Sequence, residues 1–254
     1  LLSVLGLKNK KMNTTLKTLL LFLSLGGVIF IFYIFQASHQ NPKYRTEKIS
    51  EIDNKIEKKI KTTYDEANLE SHIHFEIFRK AMIGFYHIED LKFRDRIVII
   101  DYSKPSTEER FYVVDLENKK LLYECWVAHG INSGEDYATL FSNVQNSKTS
   151  SLGLFLTAET YQGKNGFSLR LDGVEKGINH NARKRDIVIH GADYVSGEFI
   201  HKEGRLGRSW GCPALPNTLS DEIIKAISGG RCLFIFANDE RYFSDSHYTI
   251  KNNS

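Results

Sequence analysis

The stretch DIVIHGADYVSGEFIHKEGRLGRSWGCPALP, residues 186–216, joins a strand signal to a glycine-rich loop and brings a His-Gly step and a Gly-Cys step into one segment. Asp186-Ile187-Val188-Ile189 is apolar and β-branched and reads as a buried strand, so His190 and Gly191 fall where that strand ends and a loop begins. Gly197, Gly204, Gly207 and Gly211 then precede Cys212, a density that suits tight turns and close backbone approach to a ligand better than a packed core. A thiol is only a few per cent ionised near neutral pH, with a reference pKa of about 8.5, so a nucleophilic cysteine needs an adjacent base or a positive field. His190 is the natural base, Arg205 and Arg208 add charge, and the N–H groups of Trp210, Gly211 and Cys212 face a developing oxyanion if the turn is tight. The competing reading makes His190 a strand-end histidine and Cys212 an inert core residue; spacing alone does not separate the two.

Outward from this segment, strand signals dominate. They cover residues 96–101, 110–116, 121–128, 152–157, 167–171, 187–189 and 232–237, with turns at 117–120 and 164–166. Residues 218–228 read as one short helix stopped by Gly229-Gly230. Many antiparallel strands with few helices predict a mainly β domain, a sandwich or a barrel-like sheet. Before it, residues 69–86 form a candidate helix with a broad apolar face of Ile73, Ile77, Phe78, Ala81, Met82 and Phe85. Residues 48–66 are dense in both charge signs, with a narrow stripe of Ile49, Ile52, Ile56 and Ile60, the pattern of a spacer helix.

Residues 18–35 carry no charge, and Lys8, Lys10, Lys11 and Lys17 precede them without any acidic residue. That is a membrane-directing segment with its basic flank in the cytoplasm. Its length favours an uncleaved anchor over a cleaved signal peptide, and no clean A-x-A site follows. Met12 is the candidate initiator, with residues 1–11 an upstream extension. The expected organisation is a basic cytoplasmic N-terminus (1–17), a transmembrane anchor (18–35), a linker with a charged spacer helix (36–68) and a catalytic domain (69–254) held outside the cytoplasm at the inner membrane. The four N-terminal lysines more than account for the net charge of +3 and leave the rest close to neutral, so no nucleic-acid footprint is visible.

The central motif resembles the active-site signature of the L,D-transpeptidases of bacterial cell-wall synthesis: a His-Gly, a spacer, then Ser-x-Gly-Cys, here His190-Gly191 and Ser209-Trp210-Gly211-Cys212. It is most similar to the subgroup carrying GRSWGCPA, and residues 127–157 and 161–185 share that likeness, so the resemblance covers about 95 to 240. Two positions depart from the wider family: Trp210 stands where a histidine is usual, and Ala214 where an arginine is usual. The resemblance implies a barrel-like β domain in which the Cys212 thiolate attacks the third residue of a peptidoglycan stem tetrapeptide, expels D-alanine and leaves a thioester. A neighbouring stem's amine then takes the acyl group, forming a 3-3 cross-link. His190 acts as base and then acid. No metal or other cofactor is required, and a carbapenem is expected to acylate the same thiol. The same site implies two further readings, an L,D-carboxypeptidase or D-amino-acid exchanger, and a silent membrane-tethered module that binds peptidoglycan.

Arg208 is the candidate clamp for a stem carboxylate, with Arg205 its competitor. Gly191, Tyr194, Ser209 and Trp210 are candidate cleft walls or substrate donors. Asp193 is a candidate to orient His190, and His129-Gly130 a candidate for the cleft margin. A zinc site of His190, His201 and Cys212 lacks any supporting ligand spacing. The three cysteines include Cys125 and Cys232 inside apparent strands, either as core residues or as a pair. No protein partner is legible.

Overall fold

The computed structural model describes residues 42–89, 91–246 and 248. In chain order these form α1 (Pro42–Glu66), α2 (Phe75–His87), β1 (Arg96–Asp101), β2 (Phe111–Asp115), β3 (Lys120–Cys125), β4 (Gly153–Gly163) and β5 (Gly166–Gly173). Then come β6 (Val188–Ala192), α3 (Gly197–Glu203), β7 (Ala214–Pro216), α4 (Asn217–Ile227), β8 (Cys232–Phe236) and α5 (Glu240–Asp245). The apolar run at 18–35 lies outside the described residues. Among those described, no helix is long and apolar enough to cross a membrane.

All eight strands belong to one sheet, ordered β3-β2-β1-β8-β4-β5-β6-β7. Its centre, β1, β2 and β8, is buried on both faces, and this is why RIVIID, FYVVD and CLFIF read as nearly continuous apolar runs. Neighbours are antiparallel except for two pairs, β1 with β8 and β6 with β7. Just beyond β3, Ala128 bridges to Ala214 of β7, its N–H donating to the Ala214 carbonyl at 2.9 Å. The two outer strands of the sheet thus meet. The architecture is a barrel-like closed sheet, the second of the two expected forms.

The expected helix over 69–86 divides. A short 3-10 turn covers Leu69–Ser71, and α2 starts only at Phe75, with His74 Nδ1 accepting from Glu76 N at its head. Its apolar face, Phe78 to Phe85, sits on the sheet as the spacing predicts. The charged helix ahead of it is more than a spacer. Ile60 is fully buried, and the Tyr64 hydroxyl donates to the Ile73 carbonyl at 2.7 Å, so the C-terminal turns of α1 join the core. A compact unit runs from Ile56 onward. Truncating Ile60 to alanine would cost about 2–5 kcal/mol, the usual range for a buried isoleucine.

Cys125 and Cys232 are buried free thiols. They sit on β3 and β8, with β2 and β1 between them. Three strand spacings of about 4.8 Å put them well beyond disulfide reach. The helix α4 covers β5, β6 and β7 with Ile223, Ile224 and Ile227, and ends where Gly229 and Gly230 take positive φ.

Candidate active site

The strand carrying His190 does not end there. It continues to Ala192, because its backbone is paired on both sides, His190 with Ser168 of β5 and His190 with Ala214 of β7. Continuing the parallel register back two residues sets Cys212 beside Val188, whose N–H donates to the Cys212 sulfur. His190 and Cys212 therefore enter one cleft from adjacent chain segments. The cleft has a volume of about 1040 Å³ and is also bounded by Tyr161, Lys164, Arg185, Tyr194, Arg208 and Trp210.

His190 is buried, with Nδ1 2.8 Å from the carbonyl of its own neighbour Gly191. That carbonyl can only accept, so Nδ1 carries the proton and the Nε2 lone pair is left to act as a base. Burial lowers the imidazole's pKa, opposed by the Gly191 bond, so the ring is neutral at rest. The orienting group is thus a backbone oxygen, and Asp193 is engaged elsewhere, accepting from Asn217 Nδ2 at 2.5 Å.

The Cys212 thiol donates to the Asp186 carbonyl at 3.4 Å. Burial raises its pKa above the ordinary cysteine value, opposed by the Val188 N–H and by the charges of Arg185 and Lys164. A thiol raised by burial and an imidazole lowered by burial line the same cleft, both neutral at rest. The nearest stabilising cation is Arg185, not Arg205 or Arg208. Its guanidinium is spent on the loop facing the cysteine, donating to the Ser142 carbonyl, Ser151 Oγ, Ser147 Oγ and the Thr149 carbonyl. A chain reading finds no signal for it except a basic run, Arg183-Lys184-Arg185, ahead of the strand.

The loop that presents the thiol is braced from within. Ser209 Oγ donates to the Cys212 carbonyl at 2.6 Å and accepts from Gly211 N at 3.0 Å, which makes it a brace in this structure rather than a substrate donor. Gly211, at φ 120°, has no room for a side chain, since a Cβ would lie 2.7 Å from the Thr149 carbonyl oxygen. Its N–H is taken by Ser209, whereas the N–H groups of Trp210 and Cys212 have no acceptor among the described residues. Those two are the available oxyanion donors. Gly191 lets α4 pack close, for a Cβ there would meet Ser220 Oγ at 2.5 Å. Tyr194 stands half-buried at the cleft, its phenol pKa raised by burial and then by Cys212.

Beneath the loop lies a buried network that spacing does not reveal. Arg110, fully buried, donates to the Val127 and Lys104 carbonyls and to His129 Nδ1, the last at 2.8 Å. His129 Nε2 is 3.3 Å from the Gly134 carbonyl, and burial together with Arg110 pushes this imidazole down to about 4. The His129 carbonyl accepts from Ser209 N. His129 therefore supports the nucleophile loop from behind rather than lining the cleft.

Arg208 borders the cleft but is paired with Glu135 at 2.7 Å and bonded to the Gly134 carbonyl at 2.9 Å. Arg205 shares Glu135 at 3.0 Å and is not among the cleft-lining residues. Among the described residues, no cluster of three His, Cys, Asp or Glu side chains could hold a metal ion.

No curated protein sequence matches this chain. Distant likenesses exist among solved structures. An L,D-transpeptidase from Mycobacterium smegmatis aligns at 12% identity with a TM-score of 0.35, covering 56% of this chain and 59% of that one. The helical cell shape determining protein Pgp2 from Campylobacter jejuni aligns at 13% and 0.39, over 63% and 55%. An L,D-transpeptidase from Stackebrandtia nassauensis aligns at 14% and 0.35, over 70% and 76%. The chain thus spans under two thirds of the length of the first two. The assignment rests instead on a family match over residues 69–236, which takes in the whole cleft from Asn146 to Asn217: the chain belongs to the L,D-transpeptidase catalytic domain family.

Proposed function

We propose that this protein is a cysteine acyltransferase acting on peptidoglycan stem tetrapeptides and forming 3-3 cross-links, as the subgroup with GRSWGCPA at its cysteine. The observation that carries the reading is the shared cleft: an imidazole with Nδ1–H fixed by the Gly191 carbonyl, and a thiol brought to the same cleft by the segment leading into β7.

In the first half-reaction, His190 Nε2 takes the thiol proton as the sulfur of Cys212 bonds to the carbonyl carbon of the third stem residue. The oxyanion is met by the N–H groups of Trp210 and Cys212. The C–N bond to D-alanine then breaks, and His190 returns the proton to the departing amine, leaving a thioester. In the second half-reaction, the side-chain amine of another stem attacks the thioester, gives its proton to His190, and the thiol is regenerated. Water in place of that amine yields a tripeptide, the carboxypeptidase outcome. The apolar run at 18–35 and its lysine flank support a single-pass anchor that holds the catalytic domain outside the cytoplasm, where peptidoglycan lies.

The test is to incubate the full chain with disaccharide tetrapeptide and resolve the products by mass. A cross-linked dimer with release of D-alanine is expected. Tripeptide monomer alone would assign the carboxypeptidase reaction, and unchanged substrate would refute catalysis.

A further inference from the structure

The charges around the cleft do not cancel. Arg208 and Arg205 share Glu135, and Arg185 has its donors engaged on the loop carrying Thr149. On the acidic side, Asp186 faces Arg170 at 3.6 Å and Asp193 accepts from Asn217. Two cations remain. Lys148 and Lys164 line the cleft, and among the described residues neither has a carboxylate within ion-pair distance. Both instead reach the same aromatic ring. Lys148 Nζ lies 4.6 Å and Lys164 Nζ 5.9 Å from the centroid of the Trp210 indole, which is 70% exposed.

Each of these residues is delivered by a separate piece of backbone. Lys164 occupies the two-residue tip of the β4–β5 hairpin, closed by the Gly163–Gly166 pair. Lys148 sits at φ 57° in the loop whose carbonyl accepts from Asn132 N. Trp210 is two residues before Cys212 and lines the same cleft. An exposed indole flanked by two uncompensated ammonium groups gives a flat apolar surface with a positive margin.

We propose that Lys148, Lys164 and Trp210 form a carboxylate subsite that receives the terminal carboxylate of the donor peptide's leaving residue. The inference rests on the acyl-transfer reading, which places the attacked carbonyl at Cys212. The leaving residue's carboxylate lies one residue span beyond that carbonyl, about 3.5 Å along an extended chain. Lys164 is close enough to Cys212 for its charge to act on the thiol. The subsite takes over the role that spacing alone gives to Arg208.

The experiment measures binding of disaccharide tetrapeptide, and of the same compound with a C-terminal carboxamide, to the full chain carrying Cys212→Ala. Isothermal titration calorimetry at low ionic strength is the readout. The acid should bind roughly tenfold more tightly than the amide, as a charge-assisted contact of this kind predicts. Adding Lys148→Gln and Lys164→Gln together should bring the two ligands within about twofold of each other by weakening the acid only. Equal binding of acid and amide in the Cys212→Ala parent, no binding of either, or a preference that survives the paired lysine changes would each overturn the subsite. Product analysis with the unsubstituted chain separates this failure from that of the acyl-transfer reading. Acyl transfer without carboxylate preference removes the subsite alone, whereas carboxylate-selective binding without acyl transfer removes the reaction alone.

Discussion

Mild acid should destabilise this protein through one imidazole that never meets substrate. His129 is 1% exposed, and burial and the Arg110 guanidinium push it down to about 4 from an ordinary 6.5. In the unfolded chain it titrates normally. Above about pH 6.5 both states hold the ring neutral and it contributes nothing to the pH dependence. As pH falls below that value the unfolded state binds a proton that the folded state refuses, so stability is lost until the folded ring titrates in turn. The maximum loss is about 3 kcal/mol, from a shift of roughly 2.5 units at 1.36 kcal/mol each. Between pH 6 and pH 5 it amounts to about 1 kcal/mol. The assay is urea unfolding at a series of pH values, comparing the unsubstituted protein with His129→Gln, which keeps an acceptor for Arg110. The buried His190 shifts the same way and contributes to both proteins, so the difference between their slopes isolates His129. The paired carboxylates such as Asp95 and Asp115 lose their stabilising charge only as pH falls below their unfolded values near 4, outside this window. Parallel pH dependences in the two proteins would refute the reasoning.

Cys212→Ala should abolish turnover with the fold intact, while Cys125→Ala retains most activity; equal loss in two well-folded variants would reassign the nucleophile. His190→Ala should slow the reaction by roughly 10²–10⁴-fold at neutral pH and recover partly as pH rises, because the thiol, raised by burial, then ionises without a base. Full activity at pH 7 would make His190 structural. A carbapenem should add covalently at the peptide carrying Cys212, checked by intact mass and peptide mapping. No adduct under conditions where another L,D-transpeptidase reacts would count against a competent site.

What the chain disclosed, and what it withheld, divides on physical lines. The strands β1, β2 and β8 are buried on both faces, so their composition alone marks them. That His190 and Cys212 line one cleft follows a spacing pattern the chain displays, a His-Gly at a strand and a Gly-Cys in the loop after it. The strand β7 was not legible, being three residues that include a proline and owing its pairing to β6 and Ala128 rather than to its own propensity. The helix α3 was hidden too, since GEFIHKE lies between glycines and needs Ser196 Oγ, which accepts from Phe199 N, to start it. Partner choice was the least legible feature of all. Sequence proximity favoured Arg205 and Arg208 as the cations for Cys212, but Glu135, some 70 residues away, claims both. Arg185, 27 positions before the cysteine, takes their place.

The order of strands also sets a long-range condition on completing the sheet around Cys212. The strand β8, last in the chain, is inserted between β1 and β4, in parallel register with a segment that precedes it by more than 130 residues. Until residues 232–236 arrive, the hairpin of β1, β2 and β3 and the meander of β4, β5 and β6 are two separate half-sheets with unpaired inner edges. Pairing at such sequence separation is slow, because the closure entropy of the whole intervening chain is lost before any contact rewards it. Ala128 and Ala214 belong to different halves, so the backbone near Cys212 rests on a second long-range contact besides that final strand. A chain that ends between Cys212 and Cys232 carries His190 and Cys212 but lacks the strand that joins β1 to β4.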